Sequence, residues 1–402
     1  MRDVIKLRRR GAFPNVRPNG GAALPIITCI EDLRALARRR TPRALFDYAD
    51  RGAYDEVTIR RNRRDLEAIE FRQRIMVDLS TLTLESALLG QPATIPLAIA
   101  PIGMAGFLYG NGEIHGARAA QAFGVPFCLS TLSICSIEDV RAAVREPFWF
   151  QLYVMRDRSF TAELIARARA AQCSALMLTV DLPIQGMRRH DSKNGLTVPP
   201  RLTLRNAAQI ALRPTWAARV LCGKRRLFGN LVSRLPDTAG LSTLAAWIGT
   251  QFDLSVTWKD VDWIRQLWDG KLIVKGILDA EDARAACAAG VDAIVVSNHG
   301  GRQLDGAPST ISVLPEIAAA VGGRCEVLFD GGIRCGQDIL KAVALGARGC
   351  LIGKSYVYAL AAMGERGVTA ALGILRDELR VTLALTGRAR IADVDAGILR
   401  PR

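Results

Sequence analysis

The chain has 402 residues, 50% of them hydrophobic and 23% charged, which excludes a disordered or fibrous protein and allows a full buried core. The formal net charge is +15, yet the basic clusters (Lys6 to Arg10, Arg38 to Arg43, Arg60 to Arg64, Lys224 to Arg226) lack the interleaved aromatics of a base-stacking surface and any finger-type metal motif, which argues against nucleic acid. The nine cysteines are scattered without a CxxC pair and read as small core residues in a reducing compartment. No secretory signal and no apolar run of ~20 residues is found, so the expectation is a soluble or peripherally attached intracellular protein.

In chain order, a basic N-terminal tail (residues 1–29) precedes a helical portion, Ile30 to Arg40 and Pro42 to Asp50. From Thr94 onward, apolar runs alternate with helix-like segments, the pattern of repeated strand-helix units on a parallel sheet. The strand candidates are Ile95 to Ala100, Val125 to Ser130, Phe148 to Tyr153, Ala175 to Val180, Leu272 to Lys275, Ala293 to Ser297, Val327 to Asp330 and Cys350 to Gly353. Eight such units predict an α/β fold, a (β/α)8 TIM barrel with an N-terminal helical cap, forming one domain over residues 30–391 with a C-terminal tail at 392–402. A long insertion after strand four, residues 182–257, far exceeds an ordinary βα loop. Its mixture of Arg213, Trp216, Lys224, Arg225, Arg226, Leu227 and Phe228 is basic and apolar together, suited to a lid or a membrane-contacting segment.

Chemistry in such barrels sits at the C-terminal ends of the strands. Polar residues end nearly every predicted strand here: Ser130, Gln151 with Tyr153, Thr179 with Asp181, Lys275, Ser297 with Asn298 and His299, and Asp330. The densest signal is SNHGGRQLDG, residues 297–306, where one of only three histidines stands beside two glycines and Arg302. Imidazole takes a proton near neutral pH, and a guanidinium fork grips a carboxylate. A second signal, FDGGIRCG at 329–336 followed by LIGK at 351–354, offers glycine backbone N–H groups with Arg334 and Lys354 at strands seven and eight, where barrels often bind phosphate.

The motifs FDYADRGAYDE, APIGMAG, LSTLSICSIEDV, FQLYV, TVDLPIQGMRR, IVKGI, SNHGGRQLDG and FDGGIR occur in an order that resembles the FMN-dependent α-hydroxy-acid oxidases and dehydrogenases. The likeness runs from about Ile30 to Ile391. GAYDEVTIRRN, LSTLSICSIEDV and the run FDLSVTWKDVDWIRQLWDG are most similar to the bacterial respiratory L-lactate branch of that family. The resemblance implies oxidation of an L-2-hydroxy acid, L-lactate to pyruvate, with FMN as cofactor, no metal, and electrons passed to a quinone or another acceptor. It further implies a homotetramer on the cytoplasmic side of the membrane, peripheral, or in the cytoplasm. An oxygen-using oxidase that makes hydrogen peroxide and a mandelate-type dehydrogenase share the same motifs. A non-redox flavin-binding barrel or a flavin-dependent isomerase would leave the histidine and its neighbours without a task.

Carried over residue by residue, the resemblance implies that His299 is the catalytic base, paired with Asp181. Tyr48 and Arg302 would hold the substrate carboxylate, Tyr153 its oxygen, and Arg188 would add positive charge. Lys275 would face the flavin. FMN would be held by Pro101, Ile102, Gly103, Ser130, Gln151, Thr179, Lys275 and Ser297, with its phosphate at Asp330, Gly331, Gly332, Arg334, Gly353 and Lys354. Three positions depart from the pattern. Lys354 stands where most members carry Arg, Leu132 where plant glycolate oxidases carry Trp, and Gln185 where an apolar residue or Pro is usual.

Overall fold

A computed structural model describes residues 26–196, 203–225, 227–232 and 251–401. The basic tail up to residue 25, Arg226 and residues 233–250 of the insertion lie outside the described residues. A hairpin of β1 (Ser86–Leu88) and β2 (Gln91–Ala93) precedes eight parallel strands: β3 (Leu97–Ile99), β4 (Cys128–Ser130), β5 (Trp149–Leu152), β6 (Ala175–Thr179), β7 (Lys271–Ile277), β8 (Ala293–Val296), β9 (Glu326–Phe329) and β10 (Gly349–Ile352). Each of the eight parallel strands overlaps a run predicted from the sequence. They pair in chain order from β4 to β10, β10 returns to β3, and the parallel bridge Ile99↔Phe127 closes the ring.

The period of two along each strand divides the residues between two cores. Outward-facing Leu176, Leu178, Val274, Ile294, Val296 and Phe329 pack with the surrounding helices in the main core cluster. Inward-facing Ala98, Cys128, Trp149, Met177, Ile273, Val295, Leu328 and Leu351 fill the barrel. The next inward position on the strands is polar: Ser130, Gln151, Thr179 and Lys275, with Ser297 and Asp330 directly beyond β8 and β9. The barrel is therefore apolar through its body and polar at one mouth.

The opposite end is plugged by the hairpin, which the sequence reading did not find. Leu88, Leu89 and Ala93 join the barrel interior, and Trp149 Nε1 donates to Gln91 Oε1 at 3.2 Å. Helices start and stop on local signals. Asp157 and Asp279 cap the helices Arg158–Ala170 and Ala280–Ala288 by accepting from backbone N–H groups, and Gly124 closes the helix Gly112–Phe123 at φ 82°.

The cap consists of helices Ile30–Arg40 and Arg43–Asp50, as read from the sequence, and a third, Val57–Glu67, which was missed. That helix carries Arg60, Arg61, Arg63 and Arg64 and buries only Thr58, Asn62 and Leu66, a narrow stripe at i, i+4 and i+8. The residues read as a C-terminal tail are folded onto the body through Arg400: Arg72 N–H donates to Ile398 O at 2.7 Å and Arg400 N–H to Glu70 O at 3.0 Å. Burial of Ile398 and Leu399 holds them there. The described part of the insertion forms helices Arg189–Lys193, Leu204–Ala211 and Pro214–Leu221. It is anchored by Trp216 Nε1 donating to Phe107 O (3.0 Å) and, at its far end, by Arg156 N–H donating to Gln251 O (2.8 Å).

Candidate active site

The polar mouth opens into a cavity of about 340 Å³ bounded by the ends of the strands, the cap helix Arg43–Asp50 and the insertion. All the site residues predicted from sequence line it except Asp181 and Ser297, which stand directly behind its wall. His299 Nδ1 lies 2.8 Å from Asp181 Oδ1. This pairing is set by backbone geometry. A bulge in β7 at Gly276 (φ 115°) lets Asp181 approach so closely that a Cβ on Gly276 would lie 2.6 Å from Asp181 Cβ. His299 itself is left-handed, with φ 55°.

Burial lowers the pKa of His299 below the usual 6.5, an effect the Asp181 carboxylate only partly offsets, while Lys275 and Arg188 push the same way as burial. Burial works to raise the pKa of Asp181, but the charges of His299 and Lys275 hold it below the ordinary carboxylate value. The imidazole is thus neutral at neutral pH, with Nδ1 committed to a carboxylate and Nε2 left for a ligand.

Lys275 Nζ donates to Ser297 Oγ (2.8 Å) and lies 3.3 Å from Asp330 Oδ2. Burial disfavours its charge, yet Asp330 and Asp181 more than compensate and the pKa is raised. A buried ammonium is therefore fixed at the centre of the mouth. Ser297 Oγ also accepts from the His299 N–H at 3.1 Å, so one hydroxyl ties base and ammonium together.

Above them, the Arg302 guanidinium stacks on the Tyr48 ring at 4.7 Å and donates to the carbonyls of Tyr48 and Arg51. Arg188 sits over the same ring at 6.0 Å. Burial, then the charge of Arg188, pulls the pKa of Arg302 down to about 10, so it remains a cation in a place short of counter-charge. Tyr153 meets Phe252 edge-on at 5.8 Å, and burial raises its phenol above the usual 10, which keeps its proton in place.

At the far end of the cavity the turn after β9 places Gly331 and Gly332 at φ 113° and 99°. A side chain on Gly331 would meet Thr310 Oγ1 at 2.4 Å. Lys354 Nζ donates to Asp50 O at 2.7 Å, and its ammonium is buried beside Arg302 and Arg334. Burial and these two cations push its pKa well below 10.5. Arg334 reaches Tyr358 OH (3.2 Å) and Ser355 Oγ (3.4 Å).

Three lining residues, Asn62, Asp191 and Phe252, were not anticipated. Asn62 and Asn298 exchange side-chain amide bonds at 2.9 and 2.8 Å, locking the cap helix Val57–Glu67 to the segment that carries His299. The stripe Thr58, Asn62, Leu66 is the signal that could have found Asn62. Asp191, in the insertion, is a buried carboxylate whose pKa is raised by burial even though Arg302 and Arg188 act against the rise. Phe228 and Phe252 form an apolar wall with Leu132 and Leu182, and Gln185 also lines the cavity.

The cavity's own chemistry fits a flavin mononucleotide. Gln151 Nε2 and Asp330 Oδ1 are buried in the lining without a hydrogen-bond partner, as donor and acceptor directed at a polar ring would be. At the glycine turn, the part-buried cations Arg302, Arg334 and Lys354 line the cavity together, a concentration of positive charge that a phosphate would balance. Among the described residues no group of three His, Cys, Asp or Glu side chains could hold a metal ion, and no helix is long and apolar enough to cross a membrane.

Comparison with known proteins agrees with this geometry. Residues 37–401 match the family described as FMN-dependent dehydrogenase. An L-lactate dehydrogenase of Caulobacter vibrioides (strain NA1000 / CB15N) is 49% identical over 378 residues, covering 94% of this chain and 98% of the relative. One from Acinetobacter baylyi is 45% identical over 375 residues, covering 93% and 97%. The solved structure of (S)-mandelate dehydrogenase, described as a monotopic membrane protein, superimposes with a TM-score of 0.89 at 37% identity, covering 94% of this chain and all of that one.

Proposed function

The chain belongs to the FMN-dependent dehydrogenase family, and from that premise we propose that it oxidises L-lactate to pyruvate with FMN as cofactor. The observation that carries the reading is the neutral imidazole of His299, backed by Asp181 and facing two guanidiniums across one cavity. Arg302 and Arg188 hold the substrate carboxylate against the Tyr48 ring. Tyr153, its proton retained, donates to the substrate oxygen. His299 Nε2 takes a proton from the substrate, from C2 or from the hydroxyl, and Asp181 stabilises the imidazolium that results. FMN supplies the acceptor of the two electrons. Its ring would be held by Ser130, Gln151, Thr179, Lys275 and Ser297 with the backbone of Pro101 to Gly103, and its phosphate by Gly331, Gly332, Arg334, Gly353 and Lys354. Asp330 keeps Lys275 charged, and the Lys275 ammonium stabilises negative charge that develops above the mouth. The Phe228 and Phe252 wall excludes water from the reacting carbon.

Electrons leave to a quinone at the membrane surface. Supporting this, Leu204, Leu212 and Leu221 are 92%, 73% and 58% exposed on the insertion helices beside Arg205, Arg213 and Arg219, an apolar and basic surface suited to anionic lipid. The mandelate dehydrogenase it resembles is a monotopic membrane protein. The chain is one domain from residue 30 through Arg400 and assembles as a homotetramer. An exposed apolar strip at Ile75, Met76, Val77 and Leu385, joined where Arg74 N–H donates to Leu385 O, suits a subunit contact.

Anaerobic addition of L-lactate to the flavin-loaded protein is expected to bleach the flavin, and a dye or quinone to restore its colour. If no 2-hydroxy acid bleaches it, the assignment fails. Bleaching by L-mandelate but not L-lactate moves it to the mandelate type, and rapid peroxide formation in air makes it an oxidase. Sedimentation with anionic vesicles tests the membrane contact, and sedimentation equilibrium tests the tetramer.

A further inference from the structure

At the N-terminal end of the barrel, away from the site, Cys287 Sγ and Cys325 Sγ lie 3.1 Å apart. Cys287 is near the end of the helix Ala280–Ala288, and Cys325 directly precedes β9. Among the described residues this is the one pair of cysteine sulfurs within hydrogen-bonding distance. Both are half-buried, whereas Cys128, Cys135, Cys173 and Cys350 are buried in the core. Cys325 also lines a second cavity of about 780 Å³, bounded by Glu85, Asp292, Glu326 and Arg348, through which a small solute reaches the pair.

We propose that Cys287 and Cys325 form a modification site that hydroperoxides close to an intramolecular disulfide. The pair needs little movement, because an S–S bond is about 2.05 Å long and the sulfurs must approach by only about 1 Å. Cys325 lines the second cavity and is the sulfur that meets the oxidant, with its thiol pushed up to about 12 by burial and then by the hydrogen bond with Cys287. The Cys325 thiol is oxidised by the hydroperoxide to a sulfenic acid as the O–O bond breaks, with release of the corresponding alcohol, or of water when the oxidant is hydrogen peroxide. The Cys287 sulfur then attacks the Cys325 sulfur, the S–O bond breaks, and hydroxide leaves with the Cys287 proton as water. Two thiols lose two electrons and one peroxide O–O bond gains them. The high thiol pKa makes the closure slow, as befits a response to sustained oxidation. The bond closes a loop spanning 38 positions and ties together two consecutive strand-helix units, which constrains the unfolded chain.

The test uses the flavin-loaded full-length protein, treated with hydrogen peroxide, denatured in an alkylating agent and mapped by mass spectrometry. The expected result is loss of two of the nine thiols, a cross-linked peptide pair containing residues 287 and 325, and recovery of both thiols with dithiothreitol. The treated protein is expected to melt several degrees higher than the reduced one. In Cys287→Ser and Cys325→Ser that upshift and the cross-link are both expected to vanish. Retention of all nine thiols, a cross-link joining other cysteines, or separate sulfinic acids at 287 and 325 would each overturn the proposal. Measuring the melting shift in the wild type before and after reduction keeps the test decisive even if a serine variant folds poorly.

Discussion

The two ends of this barrel treat charge in opposite ways. At the N-terminal end the carboxylates are paired: Asp292 accepts from Lys271 Nζ (2.8 Å), Leu272 N (2.9 Å) and Arg265 Nη2 (3.0 Å), while Glu326 Oε2 accepts from Leu89 N at 2.9 Å. At the C-terminal mouth, Gln151 Nε2, Asp181 Oδ2 and Asp330 Oδ1 are buried without partners, and Lys354 is crowded by Arg302 and Arg334. One end supplies stability, and the other keeps unmet polar groups for ligands. The same strands run through both, so the contrast is a property of position along the strand.

Substitutions at the two ends should separate turnover from stability. The largest effect is expected for His299→Gln, which should lower kcat by ~10³–10⁴-fold in anaerobic flavin reduction while leaving the flavin bound. Retained turnover would break the comparison at its centre. At the other end, Trp149→Ala should lower unfolding free energy by about 3–5 kcal/mol in a denaturant titration, with kcat per folded molecule unchanged.

Asp181→Asn should lower kcat by ~10²-fold and also move the pH profile. Because the pKa of His299 lies below 6.5, kcat/KM should fall only as pH drops through that lowered value. Without the Asp181 carboxylate, burial, Lys275 and Arg188 act unopposed and the acid limb moves to still lower pH. A limb that moves upward would show that Asp181 does not act on the imidazole.

The smallest effect is expected at the phosphate end. Lys354→Met should weaken FMN binding by ~10–100-fold, the worth of one charge-assisted contact. It should also stabilise the flavin-free protein. Since the folded pKa of Lys354 lies well below 10.5, the unfolded chain binds its proton more readily at neutral pH, and flavin-free stability should rise as pH climbs toward 10.5. A lower melting temperature for flavin-free Lys354→Met would contradict the crowding of cations.

The barrel was legible because each strand is an apolar run ended by a polar residue, and the closing polar residue is the one that faces the mouth. Strand length was less so: β7 runs to Ile277, beyond the expected end at Lys275, because its bulge at Gly276 restarts the pairing. The β1–β2 hairpin escaped because three-residue strands show too little alternation to detect. The helix Val57–Glu67 escaped because its buried stripe, Thr58, Asn62 and Leu66, holds a single apolar residue and so shows no hydrophobic period. Site residues on strand ends could be located from the sequence, since strand position fixes where they point. Asp191, Phe228 and Phe252 could not, since they reach the cavity from an insertion whose path depends on packing against distant residues.

His299 holds a left-handed backbone at φ 55° that a branched-at-Cγ side chain adopts at a cost of about 1 kcal/mol, with its position enforced by the Asn62–Asn298 amide pair and the glycines that follow. The position best suited to folding is therefore not the one best suited to turnover. A laboratory selection for heat resistance alone would be drawn to glycine or asparagine at residue 299, yielding hardier but inert molecules. Only a selection that also demands growth on the hydroxy acid would retain the histidine.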